Sequence, residues 1–507
     1  MKDIKKVEAK ALYTKLSTKR NNYLTRAQDA SELTLPQLYP RSESESEDIT
    51  YGTPYQSLGA RGVNNLANKI ILTLFPPATA FFKLGINPLM LQQMSKGEGE
   101  INSALYALEK GIVNEMEISQ LRAALVELLK QNIVGGSSLL HVPEGENPRV
   151  ISMRNFVINR SKSGKVLEIC IKDSMNFIEL DKETQKQLVD ISDDVRKGKK
   201  PLEVYTLVQR DSSEMFSVIQ EINKIKIDGT HGTYREQDLP YIFVPFVDRG
   251  ESYGRSFIED YIGDLRSYEG LRKAILEASA EAARLIYLVK PNATLSVKKL
   301  RDANSGDVLV GVGDDVSVLQ ADKRLDVGMA QQEAEILRQD LSTLFLLDSA
   351  VRRNAERVTA EEIRKISQEL EVSLGGIYST LANVLQSPLV RLYLNKLKKK
   401  GLINDALKDS INLEVTTGSA ALGRGTEFTA ISTFLQTMQQ VLGEQFTTYM
   451  KMPELIARVA NSLDIGTSEL VKSEEELMME QQQAQEQAMQ QQAVGPAIQA
   501  ASKQQEE

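Results

Sequence analysis

The run SFIEDYIGDLRSYEGLRKAILEASAEAARLIYLV, residues 256–289, sets the architecture. Ser256 and Glu259 have the spacing of a capping box, in which a hydroxyl and a carboxylate satisfy the free amides of a helix start. Behind them Ile258, Ile262, Leu265, Tyr268, Leu271, Ile275, Ala282 and Leu285 recur with a period of about 3.5 residues, the mark of one apolar helix face. The spacing predicts a single helix ending before Pro291, roughly 50 Å long at 1.5 Å per residue. Its Ala-rich end suits close packing against another helix. A small strand-and-turn unit, Asn292 to Lys323, separates it from a second helix, Asp326 to Leu346, which carries Ile336, Leu337, Leu341 and Leu344.

Downstream, the basic segment SAVRRNAERV leads to a second capping box, Thr359 to Glu362. Ile363, Ile366, Leu370, Leu374, Ile377, Leu381 and Leu385 then predict a long helix that tolerates Gly375 and Gly376, bends before Pro388 and closes on LKKK and Gly401. INLEVTTG reads as a strand, GRGTEF as a turn, and residues 427–462 as two short helices. From Ser473 the chain is rich in Glu, Gln and Ala and reads as solvated helix or disorder.

Upstream, residues 1–40 read as helix up to Pro36 and Pro40, and RSESESED (41–48) as a solvated acidic loop. Pro54 introduces a helix with Leu58, Val63, Leu66 and Ile70 on one face, stopped by Pro76 and Pro77. Another helical span runs from Ile101 to Ile133, and Gly135 and Gly136 turn the chain. Between Ser138 and Val247 the β-branched runs SLLHV, VISMRNFVIN, VLEICI, EVYTLVQ, FSVIQEI and YIFVPFV predict a mixed sheet. The fold class is therefore α+β, predominantly helical.

Composition excludes several chemistries. One cysteine, Cys170, allows no intrachain disulfide, and with only His141 and His231 it cannot build a usual zinc site. No P-loop or nucleophile elbow occurs; GVGDD at Gly311 lacks the rest of a dinucleotide fingerprint. The longest apolar run, Lys69 to Phe82, is too short to span a bilayer and is broken by prolines. The N-terminus reads as a surface helix without a signal-peptide core. A net charge of −8 offers no general basic face for phosphate, so contact with nucleic acid must be local. No catalytic residue, metal site or cofactor is expected.

Five stretches carry a family resemblance: residues 51–76, 250–271, 356–381, 387–394 and TTGSAALGRG at 416–425. In order and spacing they resemble the portal, or head-to-tail connector, proteins of short-tailed podophages of the Autographiviridae type. Tyr55 stands where those relatives often carry Trp. The resemblance extends to about residue 470 and implies a portal fold with a mixed α/β wing (1–252) and a first stem helix (253–290). A clip (291–324), a second stem helix (325–347) and a channel loop (348–358) would follow. A long helix returning to the wing (359–425), a crown (426–472) and a Gln-rich tail (473–507) would complete the chain. It implies a dodecameric self-assembled ring passing double-stranded DNA. Its other partners would be the terminase large subunit, tail adaptor proteins, and scaffold, capsid and internal core proteins, with no membrane.

Within that frame Arg352, Arg353 and Arg357 are candidates to touch DNA phosphate from the channel loop; pairing with Glu356, Glu361 or Glu362 is the alternative. Lys298, Lys299 and Arg301 in the clip are candidates for docking motor and tail, or a solvated basic turn. Leu265, Ile275, Ala282 and Leu285 are candidates for packing between subunits, or for packing within one. An unrelated helical adaptor and a Mg²⁺-dependent DNA-processing enzyme are the rival readings.

Overall fold

A computed structural model describes residues 7–42, 51–76, 81–85, 98–188, 191–212, 214–282, 286–319, 324–347, 360–374, 376–401, 414–416 and 424–443, with isolated positions as far as 459. The chain divides into two units, Met1–Pro77 with Glu115–Lys396, and Ala78–Asn114 with Leu397–Glu507. Its longer helices are α1 (Ala9–Glu32), α2 (Leu58–Leu74), α3 (Glu98–Ile118), α4 (Leu121–Gly135), α5 (Ile262–Ala282), α6 (Arg324–Leu344), α7 (Ala360–Leu374), α8 (Ser387–Lys399) and α9 (Arg424–Leu442). With the sheets below, the fold is α+β.

In the first unit the strands Phe156–Arg160, Val166–Met175, Leu202–Arg210 and Met215–Ile222 form a meander, extended by Ile225–Lys226 and Gly232–Arg235. Every described pairing is antiparallel, so the expected mixed sheet is corrected. Short connections, 161–165 and 211–214, return two of the strands beside their predecessors, where parallel pairing would need a long crossover, while the longer excursion 176–201 also returns antiparallel. Side chains alternate across the sheet. Val157, Cys170, Tyr205, Leu207 and Ile219 pack beneath Ala9 and Leu16 of α1, while Leu202, Val204 and Ile222 join a separate cluster with Leu188 and Ile227. Buried Glu221 accepts the amides of Ala9 (2.9 Å) and Lys10 (3.3 Å), supplying from the sheet the cap that Glu8 does not give.

A second antiparallel sheet places Ser137–His141 between Tyr241–Pro245 and Arg149–Ser152. Here α4 ends on Gly136, at φ 83°, and the backbone returning from the sheet passes directly over it. The Gly136 carbonyl accepts the Phe246 amide at 2.9 Å, and the Gly254 amide donates to Ser137 Oγ at 2.8 Å. Two residues later Ser256 Oγ accepts the Glu259 amide at 2.9 Å, the cap read from the sequence.

The helix beyond this cap is shorter than expected. It turns at Tyr261 after Phe257–Asp260, resumes as α5 and stops at Ala282. Ile286–Val289, expected as its last turn, is a strand paired with Val316–Leu319. A quartet with β-branched Ile286 and Val289 and aromatic Tyr287, ahead of Pro291, gains more from a cross-strand partner than from a helix end. The rod is thus about 30 Å long, and the small unit it feeds begins at Ile286.

Further corrections follow the same logic. The span expected from Ile101 to Ile133 is two helices, α3 and α4, parted where Gln120 adopts φ 54°. The long helix after residue 359 is interrupted: Gly376, at φ 84°, caps a new segment, Ile377–Leu381. The bend expected before Pro388 takes the form of a π-helical stretch, Ala382–Gln386, which frees the carbonyl that the proline ring would strike. In the second unit Lys83–Gly85 pairs with Glu414–Thr416, within the expected strand INLEVTTG, and Glu109 accepts the Leu84 amide at 2.7 Å. The expected turn GRGTEF opens α9 instead. Phe428, Ile431, Leu435, Met438 and Leu442 recur there at helical steps, and that pattern outweighs two glycines.

Candidate functional site

The helices α5 and α6 pack against each other, and the hairpin of Ile286–Val289 with Val316–Leu319 joins them, making the pair antiparallel. Of the residues expected between subunits, Leu265 is 0% and Ile275 7% exposed within the single chain. Both side chains are thus covered by their own chain, the second of the two packings their spacing allowed. The side chain of Ala282 and all of Leu285 lie outside the described residues.

The unit joining the two helices carries the short helix Val297–Asp302, with Lys298, Lys299 and Arg301 exposed and Arg301 Nε 3.1 Å from the Asp302 carboxylate. Val308 and Val310 beside it are 94% and 92% exposed.

Arg352, Arg353 and Arg357 lie outside the described residues, but both flanks of their segment are described. On the near side the turn that follows α6 holds Leu346 at φ 54°. Asn65 Nδ2 donates to the carbonyls of Phe345 and Leu346, each at 3.0 Å, and Lys69 Nζ donates to Leu346 at 2.9 Å. On the far side Glu369 of α7 lies 3.6 Å from the same ammonium. Lys69 is buried, and desolvation lowers its pKa, opposed by the Glu369 charge. One cation of α2 therefore ties both flanks together. Sequence reasoning missed it, although a lysine between Leu66 and Ile70 on an apolar face is a legible signal of a buried cation with a partner.

A cleft of about 350 Å³ opens between the start of α2 and the flanks of α5 and α6. Tyr55, Arg61, Tyr268, Arg272, Arg338 and Ser342 line it. Glu269 of α5 fixes the approach to α2 by accepting the amides of Tyr55 (2.8 Å) and Gln56 (3.2 Å). Arg338 is paired with Glu335 at 2.7 Å. The guanidinium groups of Arg61 and Arg272 have no ion-pair or hydrogen-bond partner among the described residues. Arg61 also sits near the positive end of α2, whose first turn holds no acidic residue. A cation there opposes the helix dipole, a cost that an anion in the cleft would offset. Arg61 and Arg272 were passed over in the sequence because only their convergence distinguishes them from ordinary surface arginines.

The described residues hold no cluster of His, Cys, Asp and Glu able to bind a metal, and no described helix is long and apolar enough to cross a membrane. Burial raises the Cys170 thiol pKa, leaving it a poor nucleophile. His141 stacks on Tyr241 with ring centres 4.4 Å apart; burial, then the Arg149 charge, pushes its pKa down from 6.5 to about 4. The unfolded chain thus binds a proton there at higher pH than the folded chain does. Stability should rise with pH between about 4 and 6.5 and be lost as pH falls through that window. Denaturant titrations across it should show this slope, and His141→Phe, which keeps the stack, should flatten it by one proton.

Residues 6–471 match the family described as bacteriophage head to tail connecting protein. The chain is 36% identical over 477 residues to the portal protein of Enterobacteria phage T3, covering 92% of this chain and 89% of that one. It is 35% identical over 478 residues to the portal protein of Escherichia phage T7, with the same coverage of 92% and 89%. Among solved structures, the neck of a native GTA particle computed with C12 symmetry shares 11% identity and a TM-score of 0.33, over 74% of this chain and 85% of that one, too distant a likeness to carry an argument.

Proposed function

The chain belongs to the family of bacteriophage head-to-tail connecting proteins, and from that premise we propose that its copies close into a dodecameric ring, a portal at one capsid vertex through which double-stranded DNA is packaged and later ejected. The observation that carries this reading is the family match over residues 6–471, supported by identity to portal proteins over nine-tenths of the chain. The antiparallel rods α5 and α6 would be the stem and residues 286–319 the clip. Residues 1–252 would form most of the wing, 359–425 its return, and 426–472 the crown. The protein would be part of the virion, assembled in the host cytoplasm.

The role is that of a conduit and docking platform, with ATP hydrolysis left to a separate terminase. Lys298, Lys299 and Arg301, exposed on the clip, would meet the terminase large subunit first and tail adaptor proteins later. The wing and crown would meet scaffold, capsid and internal core proteins. A conduit must let phosphate slide, which suits a chain of net charge −8, without an overall excess of positive charge. Arg352, Arg353 and Arg357, repeated around the axis, would touch the DNA backbone and restrain slippage.

Negative-stain imaging and native mass measurement of the purified full chain test the ring. Closed rings with a central hole are expected, and a solitary globule under assembling conditions would overturn the proposal. Substituting Arg352 and Arg353 together by serine should leave rings intact and reduce DNA retention in filled heads several-fold; unchanged retention would remove the phosphate role.

A further inference from the structure

Met329, Glu333, Ile336 and Asp340 are spaced by four, three and four residues along α6, which at about 100° per residue puts them on one flank. That flank is uncovered. Met329 is 72% and Ile336 47% exposed, and Glu333 and Asp340 are exposed with no ion-pair or hydrogen-bond partner among the described residues. Ala334, Leu341 and Phe345 face the chain's own core, and Arg338 and Ser342 sit beyond them at the arginine-lined cleft. One helix thus carries an acidic and apolar seam on one side and a wall of a basic cleft on roughly the other.

The cleft has what the seam lacks. Arg61 and Arg272 are uncompensated cations, and Lys273 lies over the Tyr55 ring at 5.7 Å. One turn beyond Arg272, Leu276 is 45% exposed, an apolar surface for the apolar members of the seam. A closed ring needs a heterologous contact, one patch meeting a different and complementary patch on the next copy. We propose that the seam of one subunit docks in the cleft of its neighbour, Glu333 and Asp340 against Arg61 and Arg272, with Met329 and Ile336 against Leu276. This rests on the ring reading above and names the surfaces that close it. The occupant is a second copy of this chain, because both halves lie on a single protomer and point away from each other.

Two charge-reversed full-length variants test it: Glu333→Arg with Asp340→Arg, and Arg61→Glu with Arg272→Glu. Each alone should lower the ring fraction at least ten-fold by mass photometry, while circular dichroism and the melting curve stay those of a folded chain. Mixing the two should restore rings, since the basic seam of one then meets the acidic cleft of the other, and the acidic seam of the second meets the basic cleft of the first. The quadruple variant should also form rings by itself. Wild-type ring yield from either double variant, or failure of the mixture to recover, overturns the seam and leaves the ring standing. A wild-type chain that forms no ring overturns the reading beneath it and the seam together.

Discussion

Gly136→Ala should lower soluble folded protein and the urea midpoint sharply, a large effect for a single methyl group. Gly136 ends α4 at φ 83°, where a non-glycine residue costs roughly 1–2 kcal/mol. A Cβ there would also lie 2.5 Å from the Gly254 carbonyl oxygen and 2.6 Å from the Arg255 carbonyl carbon, both backbone atoms with no side chain to swing aside. Forcing these segments apart breaks the bond from the Phe246 amide and moves the Ser256 cap, adding about 1–3 kcal/mol. The sum, about 2–5 kcal/mol, is a sizeable share of the roughly 5–15 kcal/mol that holds a typical domain folded. Gly145 supplies the control, with φ also 83° but open space around its Cβ position. Gly145→Ala should therefore show the dihedral penalty alone. Soluble yield and urea midpoints of the two variants decide the matter; equal midpoints would show that the close backbone approach is not what Gly136 serves.

The second large effect belongs to Lys69. Lys69→Met keeps length and apolar character but removes the donor to the Leu346 carbonyl and the charge facing Glu369. A buried hydrogen bond to a charged group is worth roughly 1.5–3 kcal/mol. Asn65 still holds the Phe345 and Leu346 carbonyls, so the loss should fall on the tie to α7 rather than on the whole unit. Local opening should increase about ten- to a hundred-fold. Trypsin reads it directly, since Arg352, Arg353 and Arg357 lie between the two tied flanks. Cleavage there should accelerate by that factor at temperatures well below the melt. Unchanged cleavage would mean that the Lys69 tie does not govern access to the segment.

Much of the fold was legible in the sequence because it depends on local rules. Six β-branched runs between Ser138 and Val247 each contain or overlap a strand, the Ser256 cap forms as its spacing implies, and prolines close α2 where expected. Misreadings fell where a distant partner decided between two local options. Ile286–Val289 continued a helical stripe by spacing, yet became a strand because Val316–Leu319 lies opposite it. The candidate site was less legible still. Leu265 and Ile275 belonged to a correctly read stripe, but periodicity says that a face is buried and not by what, and here their own chain buries them.

The sequence by itself determined the α+β class, the positions of most caps and strands, the absence of familiar catalytic motifs, and the resemblance that led to the portal reading. Those are properties of spacing and residue type, carried by neighbours a few positions apart. Only the tertiary structure decided that Arg61 and Arg272, 211 residues apart in the chain, share one cleft, and that Lys69 joins Leu346 to Glu369. Electrostatic and hydrogen-bonding partners are chosen by distance in space, and separation along the chain carries almost no information about that distance once the backbone has turned back on itself.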